Sequence, residues 1–377
     1  MSTYELKSKE ECEDFVRGCT VLGTGGGGAP ERGIKILHQA LDSGLKLGWR
    51  DISEIADDVW VVCPFLMGSI APLTPEAEAE RLRFGLEKIR YPNAIMNAIQ
   101  ELEAYSGKKI GAVIPVELGG GNTAESVVQA ARLSLPTLDA DYAGRAIPEI
   151  VQITPVIYDK PLAPLSAVDE WGNITIIKEA VNPLMAERLG KFLSVAAFGL
   201  ACMAGILLRG REVKEIAIPG TLTESLKLGR AIRQARAKGA DPVAAATKAM
   251  DGWLLFKGIV AEKNWEDRDG YLWGTHTLEG VEEFSGRTFK VWYKNENHIS
   301  WLDGKPYVMS PDLICLVDRK TAEPITNTNI AEGHELAVIG KRGAEVFRKK
   351  KGLENLGPAH FGFDLPYVPI EQQVKQK

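Results

Sequence analysis

The chain reads as an α/β layer followed by a β-rich half, and three observations predict this. Before residue 150, short apolar runs at 59–62, 109–116 and 137–138 alternate with helical periodicity at 75–89, 91–105 and 123–132. That alternation is the mark of a sheet layered by helices. From residue 255 on, strand follows strand at 258–262, 270–278, 287–293, 298–302, 313–318 and 335–340. Finally, Asp269-Gly270, Ser285-Gly286 and Asp303-Gly304 between these runs are hairpin chemistry. A length of 377 residues exceeds what one simple core fills, so two domains are expected. The first is an α/β layered domain over 1–165; the second is a mixed domain over 166–377 with a mainly antiparallel sandwich or barrel-like unit.

Each element has a local reason. Residues 8–21 form a helix capped by Ser8, with Glu10 and Glu11 in its first turn and Cys12, Phe15, Val16 and Cys19 on one face. The run Gly23-Thr24-Gly25-Gly26-Gly27-Gly28 follows, then a second helix over 31–41. The apolar run 59–62 leads into Cys63 and Pro64, which sets Cys63 at a strand end. There a thiol is either a nucleophile or, more commonly, a small core residue. Strands are expected at 151–157 and 174–178 around a turn-rich 161–173, and helices at 182–208, 225–234 and 242–253. The apolar stretch 193–208 is short of the roughly 20 residues that cross a bilayer, so it reads as a buried helix. The polar tail, 368–377, is expected to fray.

Composition narrows the function. With 45% hydrophobic and 25% charged residues and a net charge of −5, the chain has no electrostatic reason to bind nucleic acid or an anionic membrane. Met1 to Lys7 lack the basic-then-apolar order of a secretory signal, so a cytoplasmic protein is expected. Five scattered cysteines argue against a disulfide framework and a structural zinc site. The five histidines are far apart, and His298 is the one best placed to matter. A divalent metal held by carboxylates stays open.

Three motifs carry the chemistry. Gly23-x-Gly25-x-x-Gly28 has dinucleotide-binding spacing, but a helix precedes it where a strand is needed, and no P-loop lysine closes it. Neither nucleotide nor flavin is expected. Gly25, Gly26, Gly27 and Gly28 could instead aim backbone N–H groups at a developing oxyanion, or simply make a tight helix-to-helix turn. In Glu117-Leu118-Gly119-Gly120-Gly121-Asn122, Glu117 stands at a strand end as base or metal ligand, and Asn122 either orients a substrate amide or caps the next helix. Asp139, Asp141, Arg145 and Glu149 lie within eleven residues. Two carboxylates on one strand face share a proton, bind a metal or neutralise an arginine; a structural Asp–Arg bridge is the alternative.

These motifs, followed by Asn295-Glu296-Asn297 and Ser310-Pro311-Asp312-Leu313-Ile314, occur in an order that resembles the S-methyl thiohydantoin desulfurase family over about residues 5–370. This family is associated with hydantoinases and oxoprolinases. The resemblance implies an α/β N-terminal domain, a β-rich C-terminal domain, and removal of the sulfur substituent from a thiohydantoin ring to leave hydantoin.

The expected reaction is attack of water on the carbon bearing the S-methyl group, with departure of methanethiol. It needs a base, donors for developing charge, and an acid near sulfur. Asp139 or Asp141 is the expected base, directly or through a metal, with Arg145 and the glycine amides as charge stabilisers. Asn122, Asn295, Asn297 and Glu149 would contact the ring, and Glu117 or Glu296 would be the acid. The partner is then a small cyclic amide, with a homo-oligomer or a hydantoinase-type partner also open. The alternative function is a non-catalytic or regulatory subunit of a hydantoinase or oxoprolinase-type enzyme.

Overall fold

The computed structural model describes residues 3–68 and 73–376; Met1, Ser2 and Lys377 of the terminal segments lie outside them. It is a mixed α/β structure in a two-domain layout, built on two large sheets. The first has eight strands in the order Thr3–Leu6, Leu47–Arg50, Thr137–Leu138, Ile110–Val113, Trp60–Gly68, Leu200–Arg209, Leu165–Val168 and Ile174–Ile177. Its centre is parallel, from Leu47–Arg50 across to Trp60–Gly68, and both flanks are antiparallel. The first sheet thus continues beyond residue 165, drawing three strands from later in the chain.

Three sequence expectations change here. The helix expected over 182–208 stops at Ala196; Phe198 takes a positive φ of 57°, and the chain returns as the central strand Leu200–Arg209. That strand is buried on both faces, and such an apolar run has the same periodicity as a buried helix. Likewise Trp60–Gly68 runs on through Pro64. Its parallel pairing ends at Val62–Val113, so the missing N–H of Pro64 breaks no ladder bond on that side. Cys63 therefore lies mid-strand, fully buried, and burial pushes its thiol well above the ordinary range. It is a core residue, not a nucleophile. The stretch 151–157, expected as a strand, instead falls in the short helical turns Ile150–Gln152 and Thr154–Ile157.

The second sheet has seven strands, all antiparallel, in the order Lys305–Met309, Glu296–Leu302, Thr288–Lys294, Tyr271–Gly280, Trp253–Arg268, Glu335–Lys341 and Leu313–Asp318. It curls into a half-barrel whose far edges approach one another, which matches the barrel-like unit expected. The helices Lys9–Leu22 and Thr221–Ala237 pack together between the sheets, sharing one apolar core with Leu313, Cys315 and Val317. Within the tail expected to fray, residues 370–376 form helical turns. Ile370 is fully buried, and Asp312 accepts from the Ile370 N–H and the Tyr367 hydroxyl, both at 2.8 Å. The Ser310-Pro311-Asp312 motif thus ties down the C-terminus.

Candidate active site

A cavity of about 280 Å3 opens between the carboxyl ends of the first sheet's strands and the hairpin tip Asn295-Glu296 of the second. Strand ends are where an α/β sheet leaves its loops free to build a site. Glu117 enters from the loop after Ile110–Val113. Glu296 enters because Asn295 turns the chain through a positive φ of 56° between two paired strands, a conformation asparagine tolerates. Asn295 is held by both its N–H and its side chain to Leu272.

The glycine runs let these parts meet. Gly27 carries a φ of 78°, and a Cβ there would stand 2.4 Å from the Gly119 Cα, so the two loops cross with no room for side chains. The Gly27 carbonyl accepts from the N–H groups of Gly121 (3.0 Å) and Asn122 (3.1 Å). Gly26 lies flush on Glu296: a Cβ there would fall 1.9 Å from the Glu296 Oε1.

Glu117 accepts from the Asn122 Nδ2 at 2.7 Å and the Ile147 N–H at 2.8 Å. Burial pushes its carboxyl up to about 7; the two hydrogen bonds pull it down, and the charge of Asp141 pushes it up further. Glu296 is driven well above the carboxylate range, by burial first and by Glu117 second, while Arg145 and Lys191 oppose. Its Oε2 has no hydrogen-bond partner among the described residues. Both carboxyls thus hold a proton more tightly than a solvated carboxylate does.

A cation completes this group. Lys191 projects from the helix Pro183–Ala196 and donates to the carbonyls of Gly68 (3.0 Å) and Gly270 (3.3 Å), with its ammonium 4.0 Å from the Tyr271 ring centre. Burial lowers its pKa, against the pull of Glu187. Glu187, one turn earlier, accepts from the Tyr271 hydroxyl at 2.6 Å and the Ile150 N–H at 2.7 Å. On the rim, Glu149 pairs with Lys294 and His360. Burial alone would raise its carboxyl, but these partners outweigh it and bring it to about 2.

Of the residues singled out in the sequence, Gly26, Gly27, Gly28, Glu117, Asn122, Glu149, Asn295 and Glu296 line the cavity. Asp139, Asp141, Arg145, Gly25 and Asn297 do not. The shared strand face assumed for the two aspartates is broken: Thr137–Leu138 belongs to the large sheet, whereas Ala140–Asp141 pairs with Ile218–Pro219. Asp139 accepts from the N–H groups of Leu222 and Thr223, both at 3.0 Å, and from the Thr223 hydroxyl, so it caps the helix Thr221–Ala237. Asp141 accepts from Ala143 N–H (3.0 Å) and Gly144 N–H (2.7 Å), and burial pushes it up to about 7. Neither forms a bridge to Arg145. The guanidinium instead donates to the Thr24 hydroxyl and the Asn297 carbonyl, both at 2.8 Å, tying the first glycine loop to the strand Glu296–Leu302. Asn297 donates from Nδ2 to the Ile314 carbonyl, and the Gly25 carbonyl accepts from Asn327.

Asn122 does not cap its helix with its side chain. Its Oδ1 accepts from the Leu66 N–H at 2.8 Å while its Nδ2 holds Glu117, so it positions the carboxylate. His298 stacks on Phe361 off the cavity, and burial keeps it neutral. Sequence reasoning missed Lys191, Glu187, the strand end Phe65–Gly68 and the loop residues Thr326, Thr328 and Asn329. The signal for the first two was a glutamate and a lysine four apart on one helical face, hidden by reading that helix into the following strand. Among the described residues no three His, Cys, Asp or Glu side chains converge as a metal site would, and no helix is long and apolar enough to cross a membrane.

Comparison with known proteins bears on this geometry. The S-Me-THD-like N-terminal domain matches residues 10–179, and the S-Me-THD-like C-terminal domain matches residues 181–370. A crystal structure of a protein from Chromobacterium violaceum is similar over 97% of this chain and 100% of that one, with a TM-score of 0.76 and 22% identity. At that identity the likeness is one of fold alone. No curated protein matches the chain.

Proposed function

The chain belongs to the S-Me-THD-like family, that of the S-methyl thiohydantoin desulfurases, and on that premise we propose that it hydrolyses the C–S bond of an S-methyl thiohydantoin. The observation that supports this most is the pair Glu117 and Glu296, two buried carboxyls in one cavity with their proton affinities raised. Such a pair supplies an acid and a base near neutral pH.

In the proposed reaction, water attacks the ring carbon bearing sulfur and gives one proton to Glu117. Glu296 gives its proton to the adjacent ring nitrogen as the carbon becomes tetrahedral. The C–S bond then breaks with its electron pair on sulfur. The new hydroxyl becomes a carbonyl by returning a proton to Glu296, and Glu117 delivers its proton to the sulfur. One water is consumed, and methanethiol and hydantoin are formed. The Lys191 ammonium would lower the energy of charge on the departing sulfur, and the Asn295 amide would hold the ring. Arg145 and Asn122 act through Glu296 and Glu117 and are positioning residues.

The test is thiol release from S-methyl thiohydantoin by the purified chain, with and without a chelator, alongside Glu117→Gln and Glu296→Gln. Loss of release by about two to four orders of magnitude in each variant is expected. Undiminished release in both would overturn the assignment. No release from the wild-type chain would favour a regulatory subunit of a hydantoinase-type enzyme, and strong inhibition by the chelator would return a metal to the mechanism.

A further inference from the structure

The cavity is larger than the ring it is proposed to hold. A cavity of about 150 Å3 accommodates benzene, so about 280 Å3 holds roughly 11 non-hydrogen atoms. The S-methyl thiohydantoin ring, with its oxo oxygen, sulfur and methyl, has eight, and the attacking water is a ninth. Space for two or three further atoms remains, with more toward the open mouth. The walls there are apolar. Leu66 and Met67 end one strand, and Leu200 begins the strand paired with it, its Cδ2 lying across Gly68 where a Cβ would meet it at 2.8 Å. Met67 lies over Gly190 in the same way, and its flexible thioether adapts to what it faces.

The charges around this space already have partners. Arg32 at the mouth is paired with Glu125 at 2.9 Å, and Glu149 with Lys294 and His360. Lys191 gives two of its three protons to carbonyls, and its charge is matched by the neighbouring Glu187. A charged substituent on the ring would therefore displace an existing partner rather than find a vacant one.

We infer that the preferred substrate carries a short branched apolar substituent, such as isopropyl, on the ring carbon between the carbonyl and the N–H, seated against Leu66, Met67 and Leu200. The inference rests on the desulfurase reading above. It makes the physiological substrate class thiohydantoins derived from small apolar amino acids. A second cavity of about 270 Å3 lies beyond Leu200 and Arg32, which line both spaces. Leu200 is thus a specificity-determining wall: a larger benzyl group is excluded until that wall is removed.

The experiment compares thiol release from the unsubstituted, isopropyl, benzyl and carboxymethyl rings, for the wild-type chain and for Leu200→Ala. The isopropyl ring is expected to have a kcat/KM about tenfold above the unsubstituted one, through KM, and the benzyl ring to fall below isopropyl. In Leu200→Ala the benzyl-to-isopropyl ratio rises about tenfold; a ratio measured on one preparation is insensitive to the fraction folded. Preference for the unsubstituted or carboxymethyl ring, or an unchanged ratio in Leu200→Ala, would overturn the inference and leave the desulfurase reading standing. Absence of thiol from every ring would overturn that reading, and the inference with it.

Discussion

Two neighbouring glycines should respond to alanine in opposite ways. Gly25, Gly27 and Gly28 all have positive φ, whereas Gly26 does not, so the backbone at Gly26 accepts a side chain without strain. The obstacle there is Glu296: the new Cβ would fall 1.9 Å from Oε1, 2.6 Å from Cδ and 2.9 Å from Cγ. Ordinary contact begins near 3.4 Å, so the carboxylate must move by about 1.5 Å. A displacement of about 1 Å at a reacting group is enough to cost roughly 100-fold, so Gly26→Ala should lower kcat about 100-fold. Its stability should fall by only about 1–2 kcal/mol, because the yielding partner is the end of a side chain. Gly27→Ala meets the Gly119 Cα at 2.4 Å from a φ of 78°. Backbone against backbone has no such relief, and about 3 kcal/mol or more should be lost. Urea unfolding and thiol release, measured on both variants, separate the two outcomes. Shortening the obstructing side chain should also help, so Gly26→Ala combined with Glu296→Asp should lose less stability than the two losses added. Wild-type kcat in Gly26→Ala would refute the argument, since Glu296 could then move freely without consequence.

Three further outcomes follow from the same geometry. The folded-state value for Glu117, about 7, lies above the usual 4.5, so its neutral form stabilises the fold below pH 4.5 and that contribution is lost as pH rises through 7. Glu117→Gln should thus become more stable relative to wild type by roughly 3 kcal/mol between pH 4.5 and 8, read by urea unfolding; a pH-independent difference would count against a buried, titrating Glu117. Activity should move the other way, with kcat/KM rising through about pH 7 as Glu117 ionises, and an acid limb below pH 5 would remove it as the base. Asp139→Ala should cost about 1–2 kcal/mol in thermal unfolding with kcat within a few-fold of wild type, because the lost groups cap a helix off the cavity; a hundredfold loss of kcat without destabilisation would place Asp139 in the chemistry instead.

What the sequence could reveal follows from which features are local. Ser8 accepts from the Glu11 N–H as its spacing predicts, and Leu313–Asp318 is a strand over the expected residues, because capping and short apolar runs between turns need no distant partner. The glycine loops were legible as close-approach backbone for the same reason; what they approach was not, since Gly27 and Gly119 meet only once both sheets are assembled. Asp139 and Asp141 show the limit most clearly. Their i, i+2 spacing puts both on one face only if a single strand runs through them, and here the strand changes sheets between Leu138 and Ala140. That break sends Asp139 to a helix terminus 83 residues away, while Glu117 and Glu296, 179 apart in sequence, come to share a cavity. A carboxylate's neighbours in sequence determine its local backbone, but its proton affinity is set by burial and by charges from other elements. The chemistry of this site is therefore a property of the interface between the sheets, which is why the motifs marked its parts and not its pairing.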